Sequence, residues 1–224
     1  MKSSQYDLLI FDWDGTLSDS IGWIVMCLRH AAEATGLPIP PDPLARSVIG
    51  LSLQEAMDTL FPGIGLETQQ ALMQHYRRHY HSQPLESLRL FEGVRDMLEE
   101  CLALGYQLAV ATGKARSGLA PALKASGTEP LFHATRCADE TASKPHPRMV
   151  LEILDELAIR PERALIIGDS PYDLQMAANA GVDGVAVACG SHSHAFLMEL
   201  GPLACLEQTR DLSRFLLDFK GPLK

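Results

Sequence analysis

The sequence predicts a doubly wound α/β fold, a three-layer sandwich with a parallel sheet between two helical layers, carrying a small α-helical cap domain inserted after the first strand. Three observations lead there. Four short, unbroken apolar runs read as strands buried on both faces. Segments of helical period alternate with the later runs, as they do in doubly wound sheets. The stretch from about residue 18 to residue 87 breaks that alternation and offers helical patterns alone.

In chain order, the first run is Leu8-Leu9-Ile10-Phe11, followed by helical spacings at Ile21, Ile24, Val25 and Leu28 and again at Leu72, Tyr76 and Tyr80. Pro-rich and Gly-rich turns, Leu37 to Pro43 and Phe61 to Gly65, separate these patterns. The core rhythm resumes with Val94, Met97, Leu98, Cys101 and Leu102 on one helix face, and then the run Leu108-Ala109-Val110-Ala111. A second face, Val150, Ile153, Leu154 and Leu157, precedes Leu165-Ile166-Ile167, and the last run is Val185-Ala186-Val187-Ala188. The expected division is therefore a core of residues 1–17 and 88–224 around a helical domain of residues 18–87.

At 224 residues the chain is long enough for such a core with one insertion. A formal net charge of −9 without a lysine cluster argues against nucleic acid or an anionic membrane surface as partner. Five scattered cysteines with no CxxC pair read as reduced core residues. With no signal-like or membrane-spanning apolar stretch, a cytoplasmic location is expected.

The chemistry collects at strand ends, where open α/β sheets bind ligands. Asp12-Trp13-Asp14-Gly15-Thr16 directly follows the first run, although Asp-Gly is also ordinary turn chemistry. The second run ends in Thr112-Gly113-Lys114, where a hydroxyl, an amide and a helix start suit a phosphate oxygen; Thr112 would equally serve as a plain helix cap. Gly168-Asp169-Ser170-Pro171-Tyr172-Asp173 again puts acid at a strand end, with Ser170 and Pro171 also fitting a helix start. In Ser143-Lys144-Pro145-His146-Pro147, two prolines stiffen the backbone around one of only six lysines.

These four pieces, in this order, resemble the haloacid dehalogenase superfamily, in particular its helically capped branch of phosphoglycolate phosphatases and β-phosphoglucomutases. The resemblance implies a phosphatase acting on a small phosphorylated metabolite through an aspartyl-phosphate. Asp12 would be the nucleophile and Asp14 the general acid and base. Thr112, Gly113 and Lys144 would hold the phosphoryl group. Mg²⁺ would be held by Asp12, Asp169 and the Asp14 carbonyl, and Asp173 would orient Lys144 or a metal-bound water. The cap segment from Arg46 to Ser52 matches in position a substrate loop; Arg46, or the hydroxyls of Ser47 and Ser52, would then face a small, polar leaving group, or else the segment forms an ordinary helix-loop junction.

Rival chemistries on the same fold are separated by residues. The metal-free dehalogenases lack the acid that stands here as Asp14, and the phosphonate-cleaving members need a cap lysine that residues 18–87 do not contain. Gly168 before Asp169, and Leu53 where mutases often carry arginine, favour hydrolase over sugar phosphomutase. A non-catalytic module would have little reason to keep Asp12, Asp14, Lys144 and Asp169 together. His75 and His79, four apart on a cap helix, are read as a solvated face, Ser191 to His194 as loop and helix cap, and Trp13 as packing.

Overall fold

The computed structural model describes residues 5–82 and 89–219. Six parallel strands form one sheet: β1 (Leu8–Phe11), β2 (Gln107–Thr112), β3 (Ala134–Cys137), β4 (Ala164–Gly168), β5 (Asp183–Val187) and β6 (Ala204–Leu206), in the spatial order β3-β2-β1-β4-β5-β6. The order reverses at β1, so β1 has β2 on one side and β4 on the other. That is the switch point where doubly wound sheets open a crevice for ligand.

Period-two alternation sorts each strand onto two faces. Leu9, Phe11, Leu108, Val110, Leu165 and Ile167 join one apolar cluster with α5 (Val94–Ala103), α6 (Arg116–Ser126) and α10 (Leu212–Asp218). Leu8, Ile10, Ala109, Ala111 and Ile166 join the opposite one with α7 (Arg148–Glu156) and α8 (Pro171–Ala180). Trp13 packs in the first of these clusters, as expected of a core residue.

Between β1 and α5 lie α1 (Ile21–Ala34), α2 (Asp42–Ser47), α3 (Leu53–Leu60) and α4 (Leu66–Tyr80), which share an apolar cluster of their own drawn wholly from residues 21–80. Where the chain leaves and re-enters the sheet layer its two arms pair: Asp19 N donates to Arg89 O at 2.9 Å, and Phe91 N to Leu17 O at 3.0 Å. The expected boundary between residues 87 and 88 lies outside the described residues.

Two strands have no counterpart among the four apolar runs. β3 carries Thr135 and Arg136, and β6 is three half-buried residues; both are edges, covered less completely than the central strands, so neither needs an apolar run. Arg136 reaches Glu152 and Glu156 of or beside α7 at 3.1 and 2.7 Å, an edge tied down by charge. The last run is displaced: β5 begins at Asp183 and stops at Val187.

Candidate active site

Because β1 and β4 are neighbours in register, Phe11 against Ile167, the residues just beyond their ends meet. Asp12 N donates to Ile167 O at 2.9 Å, and the Asp12 side chain turns back to accept from Trp13 N at 2.6 Å. Lys144, fully buried, bridges Asp12 Oδ1 at 2.8 Å and Asp173 Oδ1 at 2.6 Å. Asp173 Oδ2 in turn accepts from the Ser170 hydroxyl and amide, so the same residue closes the first turn of α8 and aims the lysine. The cap role of Ser170 with Pro171 next to it thus coexists with site duty.

Asp169 is held by Thr16 Oγ1 at 2.9 Å and by the amide and hydroxyl of Ser191, both at 2.7 Å. Gly15 has φ +83°, and a Cβ there would come within 2.4 Å of Asp169 Oδ2, so only glycine lets the first loop pass this carboxylate.

One lysine therefore pairs with two of three buried carboxylates. Burial pushes the Asp12 carboxyl up, Lys144 pulls it down, and the charges of Asp173 and Asp169 push it up further. Burial, then the Asp173 charge, raises Asp169 to about 6 against the hydrogen bonds from Ser191 and Thr16. Burial opposes the Lys144 charge, but Asp12 and Asp173 outweigh it and hold the ammonium above its usual range. Asp12, Asp169 and Asp173 each offer an oxygen within 4.8 Å of the others, and Asp12 Oδ2 is buried with no hydrogen-bond partner among the described residues. Hard oxygen donors, an excess of negative charge and an unpartnered carboxylate oxygen fit a divalent cation such as Mg²⁺.

Asp14 faces away from this cluster. Its Oδ1 accepts from Ser20 Oγ at 2.6 Å and its Oδ2 pairs with Lys114 Nζ at 2.9 Å. Lys114 also donates to Tyr80 OH of α4 at 2.8 Å, and the two carboxylates of the first motif so divide, Asp12 toward the sheet and Asp14 toward the helical block. Thr112 ends β2 and accepts from Lys114 N at 3.2 Å; the helix that follows starts at Arg116 with Ala115 at its cap, so Thr112 is not an ordinary helix cap. A Cβ on Gly113 would lie 2.4 Å from both Gly50 O and Leu51 O, so the loop between α2 and α3 rests on bare backbone here.

Asp12, Asp14, Thr112 and Gly113 line a cavity of about 320 Å³ whose other walls come from α1, α3, α4, the loop at Val48 to Leu53, the start of α6 and Ala138 with Asp139. Ser52 lines it, whereas Arg46 and Ser47 are not among its lining residues. Ser47 Oγ is taken by Leu44 O within its own helix, and its carbonyl accepts from Tyr172 OH at 2.9 Å. The Ser52 hydroxyl is spent in a capping box with Glu55 at the start of α3. Lys114, Tyr76, Tyr80 and Arg77 reach the cavity without having been singled out for it from sequence; Lys114, directly after the strand-end Thr112-Gly113, carried the one usable signal.

The remaining candidates resolve as packing. His79 stacks on His30 with ring centroids 4.0 Å apart and on Trp23 at 5.0 Å, beside the exposed Arg77 and Arg78. Ser193 caps α9 (His194–Glu199), accepting from Phe196 N. All five cysteines are free, and no described helix is long and apolar enough to cross a membrane.

A family model described as haloacid dehalogenase-like hydrolase matches residues 9–187. The chain is 34% identical, over 82% of its own length, to the tyrosine-protein kinase PtkA of Mycobacterium tuberculosis, and spans 62% of that relative's length. It is 32% identical to the probable phosphatase IndB of Dickeya dadantii, covering 83% of each chain. The fold matches the crystal structure of a hydrolase from Pseudomonas syringae with a TM-score of 0.87 and 23% identity, over 96% of this chain and 100% of that one.

Proposed function

This chain belongs to the haloacid dehalogenase-like hydrolase family, and we propose that it is a phosphatase that hydrolyses a small phosphate monoester through a phosphorylated Asp12. The observation that carries the reading is the state of Asp12: buried, tied at Oδ1 to Lys144, unpartnered at Oδ2, and opening on the cavity. Attack by its carboxylate on phosphorus forms the acyl-phosphate bond as the bond to the alcohol oxygen breaks, and Asp14 supplies the proton the departing oxygen needs. Water then attacks phosphorus, Asp14 takes its proton, and Asp12 is released with inorganic phosphate. A covalent intermediate splits one difficult displacement into two.

Two anions must meet in the first step. Lys144 offsets part of that charge, and Thr112 with the Gly113 amide would receive a phosphoryl oxygen. Asp12 and Asp169, with the Asp14 carbonyl, would hold Mg²⁺, which would supply the further neutralisation. Asp173 acts as a positioning residue through Lys144. We read residues 18–87 as a cap over this site, and the free cysteines support a reducing, cytoplasmic setting.

The test is twofold. Asp12→Asn should lower turnover by several orders of magnitude, and Asp14→Asn, which lacks the base that activates water, should retain one phosphoryl group on Asp12 when incubated with substrate and Mg²⁺, read by intact mass and peptide mapping. Loss of the general acid and base is worth about 10²–10⁴-fold in rate. Near-normal turnover by Asp12→Asn would overturn the mechanism.

A further inference from the structure

Resting on the phosphatase reading above, we infer that the cavity selects phosphate monoesters whose leaving group is an uncharged, apolar alcohol, an alkyl or aryl chain rather than a polyol or a hydroxy acid. Beyond the reacting end, the inner wall is carbon: Ile24 and Leu28 from α1, Val48, Ile49 and Leu51 from the loop, and the Tyr76 ring from α4. Two of the polar groups set among them, Lys114 Nζ and the Ser52 hydroxyl, are already committed to protein partners. Lys114 Nζ is shared between Asp14 Oδ2 and Tyr80 OH, so its donors are already engaged before a ligand arrives. The Ser52 hydroxyl donates to Glu55 Oε2 at 2.8 Å. The other polar side chains lining the cavity, Gln54, Arg77, His81, Ser117 and Asp139, are all exposed and stay hydrated.

A sugar or hydroxy-acid leaving group would surrender water against this wall, whereas each methylene would leave water for carbon. At about 320 Å³ the cavity is at the small end of the range that encloses an organic ligand, room for the phosphate and a short chain.

Straight-chain alkyl phosphates from ethyl to hexyl test this, because their alcohols leave almost equally well and differences in kcat/KM then report the walls. With Mg²⁺, kcat/KM should rise about fourfold per added methylene, roughly 250-fold from ethyl to hexyl, and phosphoglycolate should not exceed ethyl phosphate. In Leu51→Asn, verified as folded by its melting curve, the rise should flatten. Turnover of all the esters with a flat or falling series, or with phosphoglycolate the best substrate, overturns the inference and leaves the phosphatase reading standing. Binding of the matching n-alkylphosphonates, followed by calorimetry, separates the opposite case: affinity that climbs with chain length while no ester is hydrolysed supports the apolar pocket and removes the phosphatase.

Discussion

At the residue scale, the site's chemistry follows from an imbalance of charge under burial. Lys144 cannot neutralise Asp12, Asp169 and Asp173 together, so ionising all of them in a dry pocket costs free energy that a cation would offset. Asp169 carries a testable consequence. Its folded carboxyl is raised from 3.8 to about 6, so the folded protein binds the proton more tightly than the unfolded chain does. The penalty is absent below the unfolded value, grows as pH rises through the window between the two, and is complete above about 6. In metal-free protein, Asp169→Asn should therefore gain stability relative to wild type as pH rises from 3.8 to about 6, measured by urea denaturation at each pH. A difference that shrinks or stays level over that window would refute the assignment.

At the scale of elements, the loop between α2 and α3 joins the helical block to the sheet layer. Ser52 N donates to Ser143 Oγ at 3.0 Å and Tyr172 OH to Ser47 O at 2.9 Å, bonds that straddle the cavity's edge. Between them Gly50 and Leu51 carbonyls lie where any side chain on residue 113 would go. Gly113→Ala puts a methyl 2.4 Å from two backbone oxygens, a contact that no rotamer relieves. The loop must move, and with it the wall of the cavity facing Asp14. We expect kcat/KM to fall by about 10²-fold, the scale of an ångström's misplacement, with circular dichroism unchanged. Wild-type kinetics in that variant would mean the loop's seat on Gly113 has no part in catalysis.

For the whole molecule, the acidic cluster couples metal to folding, because carboxylates brought together by β1, β4 and α8 are scattered in the unfolded chain. A ligand that binds only the folded state at 100 times its Kd adds about 2.7 kcal/mol of stability. Chelator-treated protein should thus melt at a lower temperature than protein with excess Mg²⁺, and Asp12→Asn should lose most of that shift, followed by calorimetry without any substrate. A melting curve indifferent to Mg²⁺ would exclude a metal at this cluster.

The sequence by itself determined the α/β core, the helical insertion and the identity of the acids at the strand ends, since these depend on short-range facts: unbroken apolar runs, a 3.6-residue period, and which residue follows a strand. It also determined that Asp12, Lys144 and Asp169 are candidates for one site. Tertiary structure alone decided the rest. The edge strands β3 and β6 are specified by neighbours rather than by local hydrophobicity. Lys114 meets Asp14 only because β1 and β2 are neighbours, and meets Tyr80 only because α4 packs across them. Arg46 and Ser47, adjacent in sequence to the loop that lines the cavity, do not line it, while Ile24, Leu28 and Tyr76 arrive from helices far apart in the chain to make it apolar. A pocket wall is set by which faces of distant helices meet, and that information is spread over long-range packing rather than written in any one stretch of residues.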